Sequence, residues 1–262
     1  MAIASELRDD GIRVVTMDYP PVNALPVQGW FDLAAVLDEA SRDLATHVVV
    51  LRAEGKGFNA GVDIKEMQHT EGFDALIGAN RGCFAAFRAV YECSVPVIAA
   101  VQGFCVGGGV GLVGNADCIV ASDDAFFGIP EVDRGALGAA THLARMVPPH
   151  LMRTLYFTGR NISAADLVPH GSVLEVVPRE QLDATALGVA GEIARKDTRV
   201  IRMAKEALNG IDPIDVNKSY RFEQGFTMEL NLAGVSDELR DDFAGTDKAR
   251  RVSTGSTTEV TE

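Results

Sequence analysis

The sequence predicts an α/β fold in which a largely parallel sheet is followed by a helical region. Short apolar runs alternate with segments in which apolar residues recur at helical spacing, and this alternation is typical of crossover connections between parallel strands. After residue 177 only helical patterns follow. Hydrophobic residues make up 47% of the 262 residues, which provides enough apolar material for a large core.

The predicted strands are runs rich in β-branched and small apolar residues. The run HVVVLRA at residues 47–53 is continuously apolar up to its arginine, as expected for a strand that is covered on both faces. Such runs lie at residues 11–17, 47–53, 96–101, 118–121, 125–131 (a short strand and a turn) and 173–177. The proline-rich segment that follows the first run predicts an extended loop.

The predicted helices have apolar residues along one side. In residues 72–92, for example, Leu76, Cys83 and Phe87 share one face. Comparable patterns lie at residues 30–42, 182–195, 198–208 and 216–232, and shorter helices are expected near residues 64, 108 and 151. Residues 246–262 are polar and rich in Ser and Thr, which predicts a disordered tail.

The charge balance argues against a nucleic-acid partner. The chain has 24 Lys and Arg against 37 Asp and Glu, a formal charge of −13, and its densest basic cluster lies in the polar tail. A protein that binds nucleic acid usually needs a basic patch, and an acidic protein is repelled by anionic membranes. Local cationic groups can still bind a small anionic ligand.

Residues 95–116 carry no charge and are long enough to span a bilayer, but they contain Pro96 and six glycines. We therefore interpret them as a buried strand, a tight turn and a short helix. The first ten residues lack the apolar core of a signal peptide, so the expected location is the cytoplasm. The four cysteines form no C-x-x-C pair and no zinc-type spacing, which predicts reduced thiols and no metal site.

Two glycine-containing loops each follow a predicted buried strand. One is AGVDI at residues 60–64, and the other is GFCVGGG at residues 103–109. Glycine lets a ligand approach the main chain, so two such loops side by side could direct two N–H donors at one oxyanion. The glycines could equally serve tight packing. Neither loop matches the dinucleotide fingerprint or the phosphate-binding loop.

In this order and spacing, the segments FNAGVDIKEM (58–67) and AAVQGFCVGGG (99–109) resemble the crotonase (enoyl-CoA hydratase/isomerase) superfamily. The motifs PVNAL (21–25), NAD (115–117) and FGIPE (127–131) support the resemblance, which extends from about residue 11 to about residue 243. It implies a crotonase-like spiral of ββα turns with a C-terminal helical region used in trimerisation, and a homotrimer or a hexamer formed by two trimers. We expect a spiral core at residues 1–195, a helical region at 196–245 and the tail at 246–262.

The resemblance also implies an acyl-CoA thioester as substrate, with coenzyme A as part of that substrate and no further cofactor. The thioester oxygen would lie between the backbone N–H groups of Val62 and Gly108. The positions expected to bind the substrate or its coenzyme A are Ala24, Ala60, Val62, Asp63, Ile64, Lys65, Gly107 and Gly108. Asp63 is interpreted as the cap of a helix start. Lys65 is either a solvated charge or a contact to a coenzyme A phosphate.

Hydratases of the superfamily use two glutamates, and this sequence keeps one. The first position is Gly111, whereas the second is Glu131, in the Pro–Glu pair. Addition of water across a double bond by paired acid and base is therefore disfavoured, and Glu131 is expected to act as a single acid or base. Asp133 and His142 are further polar candidates, and His142 is either structural or a catalytic or substrate-contact residue of the acyl pocket.

The runs at residues 19–24, 57–68, 80–93 and 135–142 resemble one branch of the superfamily more closely. That branch opens the cyclopentanone ring of a steroid-derived bicyclic indene-carboxyl-CoA by C–C hydrolysis, in actinobacterial cholesterol catabolism. Three alternatives stay open: a single-glutamate Δ3,Δ2-enoyl-CoA isomerase, a 2-enoyl-CoA hydratase-like protein and a non-catalytic acyl-CoA binder.

Overall fold

A six-stranded sheet forms the centre of the computed structural model, which describes residues 2–70 and 72–241. The strands are β1 (Ile3–Leu7), β2 (Ile12–Met17), β3 (Val48–Ala53), β4 (Val97–Val101), β5 (Phe104–Val106), β6 (Cys118–Ser122), β7 (Phe126–Gly128), β8 (Ile162–Ser163) and β9 (Glu175–Val177). The large sheet has the order β1-β2-β3-β4-β6-β9, and all its pairs are parallel except β1 with β2. A small sheet has the order β5-β7-β8.

Helices connect the strands and form the C-terminal region. They are α1 (Val27–Arg42), α2 (Ile64–His69), α3 (Asp74–Tyr91), α4 (Gly108–Val113), α5 (Ala140–Leu143), α6 (Pro149–Thr158), α7 (Ala164–Leu167), α8 (Leu182–Ala194), α9 (Thr198–Ile211) and α10 (Val216–Leu232). The predicted helices and parallel strands are confirmed, with ends that differ by a few residues.

The large sheet is buried on both faces. In β3, Val49 and Leu51 point into a core shared with α1 and α3, whereas Val48 and Val50 point into a second core closed by α8. All four of these residues are at most 2% exposed. This explains why the sequence of β3 is continuously apolar instead of alternating.

Three strands escaped the sequence patterns, namely β1, β5 and the two-residue β8. In β1 only Ile3 is buried while the other four residues are exposed, so the strand has no continuous apolar run. Its register against β2 comes from the antiparallel pairing of Ile3 with Met17. The three-residue β5 lies in a segment that the sequence indicated only as a turn.

Residues 95–116 form β4 and α4, as predicted, and the segment between them contains β5, which was not predicted. Across the described residues, no helix is both long enough and apolar enough to cross a membrane. The four cysteines are free, with Cys118 half-buried and the other three buried. The predicted disordered tail at residues 246–262 lies outside the described residues.

The C-terminal helices pack onto the rest of the chain and also leave apolar side chains exposed. Lys205 of α9 is buried and forms an ion pair of 2.7 Å with Asp117, at the start of β6. Tyr220 of α10 is buried against the core. Large apolar side chains on the outer surface of these helices are Val200, Met203, Leu208, Ile211 and Phe222.

Candidate active site

The two glycine-containing loops lie side by side because β3 and β4 are neighbouring parallel strands. Main-chain hydrogen bonds join the loops: the N–H of Val106 donates to the carbonyl of Asn59 at 2.9 Å, and the N–H of Gly107 donates to the carbonyl of Gly128 at 2.9 Å. The second loop is therefore held between the first loop and β7. This arrangement fixes where the amides at residues 61–62 and 107–108 point.

Two amides of these loops remain available to a ligand. The N–H groups of Val62 and Gly108 have no acceptor within residues 2–70 and 72–241. The neighbouring groups are paired, since Leu25 donates to the carbonyl of Gly61 and Asp63 donates to the carbonyl of Leu25, each at 2.9 Å. Both Val62 and Gly108 line one cavity of about 120 Å³.

That cavity is walled largely by apolar side chains and by backbone. Its lining consists of residues from the two loops, from α2 and α3, from the segment after β7 and from the C-terminal region. These residues are Ala60, Gly61, Val62, Ile64, Met67, Leu76, Ala79, Asn80, Cys83, Phe87, Gly107, Gly108, Glu131, Arg134, Ala136, Leu137, Gly138, Ala139, Tyr220, Thr227 and Arg240. An apolar cleft with few polar groups is the usual form of a small-molecule site.

Glu131 is the single carboxylate among the described residues of this lining. Glu131 begins a short 3₁₀ turn, and its Oε1 lies against Gly107, which has a φ of +57°. A Cβ added to Gly107 would be only 2.7 Å from this oxygen. Its Oε2 is buried and has no hydrogen-bond partner among the described residues. Burial raises the pKa of Glu131 to about 8, with a smaller opposing effect of the charge on Arg134. A carboxyl group with this pKa can both accept and return a proton near neutral pH.

The position of the missing glutamate is filled by an aromatic ring. A Cβ added at Gly111 would overlap the ring of Phe87. That ring is held edge-on against Trp30, with centroids 5.7 Å apart, and it also contacts Tyr220 at 5.2 Å. Position 111 therefore cannot accept a larger side chain unless Phe87 moves.

His142 lies behind the aromatic wall and does not line the cavity. Its ring centroid is 4.9 Å from that of Phe87, and its Nδ1 lies 3.0 Å from Oδ1 of Asn115. Because the amide nitrogen of Asn115 donates to the carbonyl of Phe87, its oxygen accepts from His142. Burial lowers the pKa of His142 to about 3. The structure thus separates His142 from Glu131, and Asp133 is exposed.

The other predicted positions lie at the outer edge of the first loop. Asp63 caps α2, with its Oδ1 accepting from the N–H of Lys65 at 2.9 Å. The side chain of Lys65 is exposed. Half-buried Ala24 precedes Leu25, which pairs with Val62 in an isolated bridge. Ala24, Asp63 and Lys65 do not line the cavity, whereas Ala60, Ile64 and Gly107 do.

Sequence reasoning missed several lining residues. Arg134 lies three positions after Glu131 and could have been found from that spacing. Tyr220 and Arg240 come from the C-terminal region, and Cys83 lies on the buried face of α3, where it looks like an ordinary core residue. No cluster of three or more His, Cys, Asp or Glu suitable for a metal occurs in the part of the chain that the structure describes.

Comparison with known proteins identifies the family. The sequence profile of the enoyl-CoA hydratase/isomerase family matches residues 8–229. The chain belongs to this family. A probable enoyl-CoA hydratase from Mycobacterium thermoresistibile, a solved structure of this fold, superimposes with a TM-score of 0.80 at 30% identity and covers 89% of this chain and 98% of its own. The predicted crotonase-like fold is thereby confirmed.

Within the enoyl-CoA hydratase/isomerase family, two relatives share most of the sequence. Both are named (7aS)-7a-methyl-1,5-dioxo-2,3,5,6,7,7a-hexahydro-1H-indene-carboxyl-CoA hydrolase. The protein from Rhodococcus jostii (strain RHA1) is 69% identical over 250 residues, which are 95% of this chain and 97% of that protein. The protein from Mycobacterium tuberculosis (strain ATCC 25618 / H37Rv) is 70% identical over 243 residues, which are 93% and 98% of the two chains.

Proposed function

We propose that this protein hydrolyses a C–C bond in the cyclopentanone ring of a steroid-derived bicyclic indene-carboxyl-CoA, a step of cholesterol catabolism. The observation that carries the proposal is the identity of 69% and 70% to two hydrolases named for this substrate, over nearly the whole of each chain. The cavity supports it: as far as the structure describes the chain, two unpaired amides and one carboxyl group lie in a largely apolar lining.

The two amides supply the electrophilic half of the mechanism. In this proposal the N–H groups of Val62 and Gly108 donate to the thioester oxygen of the substrate. Fixed donors of this kind stabilise negative charge as it develops on the oxygen, and they need no reorganisation when the charge appears. The thioester then accepts the electron pair released by the breaking C–C bond.

Glu131 supplies the proton-transfer half. Its carboxylate takes a proton from water while the water oxygen bonds to the carbon of the ring ketone. The bond between that carbon and its ring neighbour breaks, and its electron pair passes through the conjugated system to the thioester oxygen. The ketone carbon becomes a carboxylic acid, and the proton held by Glu131 returns to carbon as the dienolate collapses. One water is consumed and the thioester stays intact.

The same geometry argues against ordinary hydration. Addition of water to a 2-enoyl-CoA needs one group to activate water and a second to handle the α-proton. Phe87 occupies the space that a second carboxylate at position 111 would need. A single proton carrier is sufficient for the ring opening because the proton is removed and returned in successive steps.

Assembly and coenzyme A binding complete the proposal. The exposed apolar side chains of α9 and α10 would pack between copies of the chain in a trimer or a pair of trimers. In this division residues 1–195 form the spiral core with most of the acyl-CoA-binding cavity, and residues 196–245 form the assembly region, which also contributes Tyr220, Thr227 and Arg240 to the cavity lining. Asp63 and Lys65 would flank the coenzyme A group outside the cavity. Since coenzyme A thioesters are made inside cells, the reaction is assigned to the cytoplasm.

The test is a comparison of three substrates: the indene-carboxyl-CoA, a 3-enoyl-CoA and a 2-enoyl-CoA. We expect turnover of the first, with gain of one water in the acyl part and no release of free coenzyme A. Turnover of the 3-enoyl-CoA alone would show an isomerase instead. Binding of all three without turnover would show a non-catalytic binder.

A further inference from the structure

Two arginines line the cavity of this strongly acidic chain. Arg134 stands in the 3₁₀ turn that begins at Glu131, and Arg240 follows α10. Most of the other lining side chains are apolar, and among the described residues of the lining Glu131, whose pKa is raised, is the single acid. This lining therefore carries more basic than acidic side chains, in a protein with a formal charge of −13.

Arg240 is held in place but keeps donors for a ligand. Its Nη2 donates to Oδ1 of Asn231 at 2.9 Å and also to Asp237. Its Nε and Nη1 have no acceptor within the described ranges. The Arg240 side chain is 14% exposed, whereas that of Asp237 is 72% exposed. Asp237 thus neutralises the cation from the solvent side and leaves part of the guanidinium fork facing the cavity.

A guanidinium beside an apolar wall has lost part of its hydration, and this cost is recovered when an oxygen of a ligand accepts from it. The cavity also extends past Arg240. This residue, together with Met67 and Leu76, also lines a second and more polar cavity. The second cavity reaches Gln68 and Thr70 on one side and the carboxylates Asp237 and Asp241 on the other. An acyl group that carries an oxygen away from its thioester could therefore meet Arg240 at the junction of the two spaces.

We infer that Arg134 and Arg240 form a second oxygen-binding subsite that selects acyl-CoA thioesters with a ketone or carboxylate on the acyl group remote from the thioester. This inference rests on the proposed function, in which a ring ketone becomes a carboxylate during turnover. The subsite binds the ketone oxygen in the substrate and binds the carboxylate more strongly in the product, since charge-assisted hydrogen bonds are the stronger ones.

The competing assignment is that the arginines hold the phosphates of coenzyme A. The position of Arg134 argues against this assignment, because Arg134 lies three residues from Glu131 and its charge lowers the pKa of that carboxyl group. It therefore stands at the reacting end of the cavity. The expected coenzyme A positions Asp63 and Lys65 lie outside the cavity lining.

The experiment measures binding by calorimetry, without turnover. The ligands are free coenzyme A and two series of thioesters, the straight-chain acyl-CoAs and the mono-CoA thioesters of dicarboxylic acids. Chain length increases within each series, and each dicarboxylic thioester is compared with the acyl-CoA of the same chain length. We expect the wild-type protein to bind one of the dicarboxylic thioesters about tenfold more tightly than its matched acyl-CoA. In Arg240→Gln and in Arg134→Gln the affinities for this dicarboxylic thioester and for its matched acyl-CoA should differ by less than about threefold.

Arg199→Gln is the matched control, because Arg199 also pairs with a nearby aspartate but is 88% exposed and distant in sequence from the cavity segments. It should keep the wild-type preference. Two results overturn the inference: no preference for the dicarboxylic thioester at any chain length, or an equal loss of affinity for every ligand, free coenzyme A included, in Arg240→Gln. The second result would place Arg240 at the phosphates. Since no turnover is involved, failure of the C–C hydrolase assignment would leave this measurement interpretable.

Discussion

The cavity has two walls of different construction. One wall is backbone: residues 60–62 and 107–108 are fixed by main-chain hydrogen bonds between neighbouring loops. They contribute two amides that have no acceptor in the described part of the chain. The other wall is side chain, with Glu131, Phe87 and the two arginines brought together from separate parts of the chain. The backbone wall depends on little besides glycine and strand order, so it suits any thioester enolate. The side-chain wall therefore decides which reaction follows.

The strongest test of this division removes the carboxyl group of the side-chain wall. Glu131→Gln keeps the shape and loses the proton carrier, so kcat on the indene-carboxyl-CoA should fall by about 10² to 10⁴. Asp133→Asn is the matched control, because Asp133 is exposed two positions away, and its kcat should stay within about twofold. Steady-state kinetics with both variants make the measurement. Full activity in Glu131→Gln would remove this residue from the mechanism.

The next test restores the carboxylate that hydratases carry. Gly111→Glu should lower the free energy of unfolding by about 3 kcal/mol, because the new side chain overlaps Phe87 in a close-packed core. Urea titration measures the loss. Gly188→Glu is the control, since a Cβ there meets nothing within 4 Å. Gly188 lies inside α8, where glutamate is the better helix former, so this variant should not lower the free energy of unfolding.

The double variant Phe87→Ala with Gly111→Glu sharpens the comparison. Because the alanine vacates the space that the glutamate needs, the double variant should be more stable than the two separate losses predict. Strict additivity, or a Gly111→Glu protein as stable as wild type, would show that Phe87 does not exclude a carboxylate from this wall.

The pH dependence of kcat/KM should report Glu131. Water activation needs the carboxylate form, so activity rises as pH increases through the folded-state pKa of about 8. Below that value log(kcat/KM) should increase by about one per pH unit, and above it the profile should level off. A profile that is flat between pH 6 and 8, at about constant kcat/KM, would contradict the buried environment of this carboxyl group.

The smallest expected effect lies outside the cavity. Lys65→Gln should weaken acyl-CoA binding by about twofold to fivefold at low salt, because the side chain is exposed and its interaction with a phosphate is screened. Lys196→Gln, exposed after α8, is the control. Titrations at two salt concentrations measure both variants. If Lys65→Gln and the wild type bind acyl-CoA with equal affinity at low salt, Lys65 is a solvated charge and does not contact a coenzyme A phosphate.

The sequence predicted the backbone wall more completely than the side-chain wall. The two glycine-containing loops follow buried parallel strands, and parallel neighbours end at the same edge of a sheet, so the proximity of the loops follows from local pattern. The choice of Val62 and Gly108 within the loops came from the resemblance to the family. Even α10 was predicted with its observed bounds, Val216–Leu232. Whether the two amides bind the thioester stays a prediction.

The remaining parts of the site depend on long-range packing. Tyr220 and Arg240 reach the cavity only because α10 and the segment after it fold back over residues 131–139, and no local pattern encodes that contact. The ring of Phe87 fills the space at Gly111 from a different helix. The absence of a glutamate was visible in the sequence, but the side chain that replaces it was not.

The most direct test of the central claim is turnover of the indene-carboxyl-CoA in water labelled with heavy oxygen, followed by mass spectrometry of the acyl-CoA product. C–C hydrolysis predicts one heavy oxygen in a new carboxyl group of the acyl part, with the coenzyme A thioester intact. Label in a free acid together with released coenzyme A thiol would show thioester hydrolysis and would contradict the account.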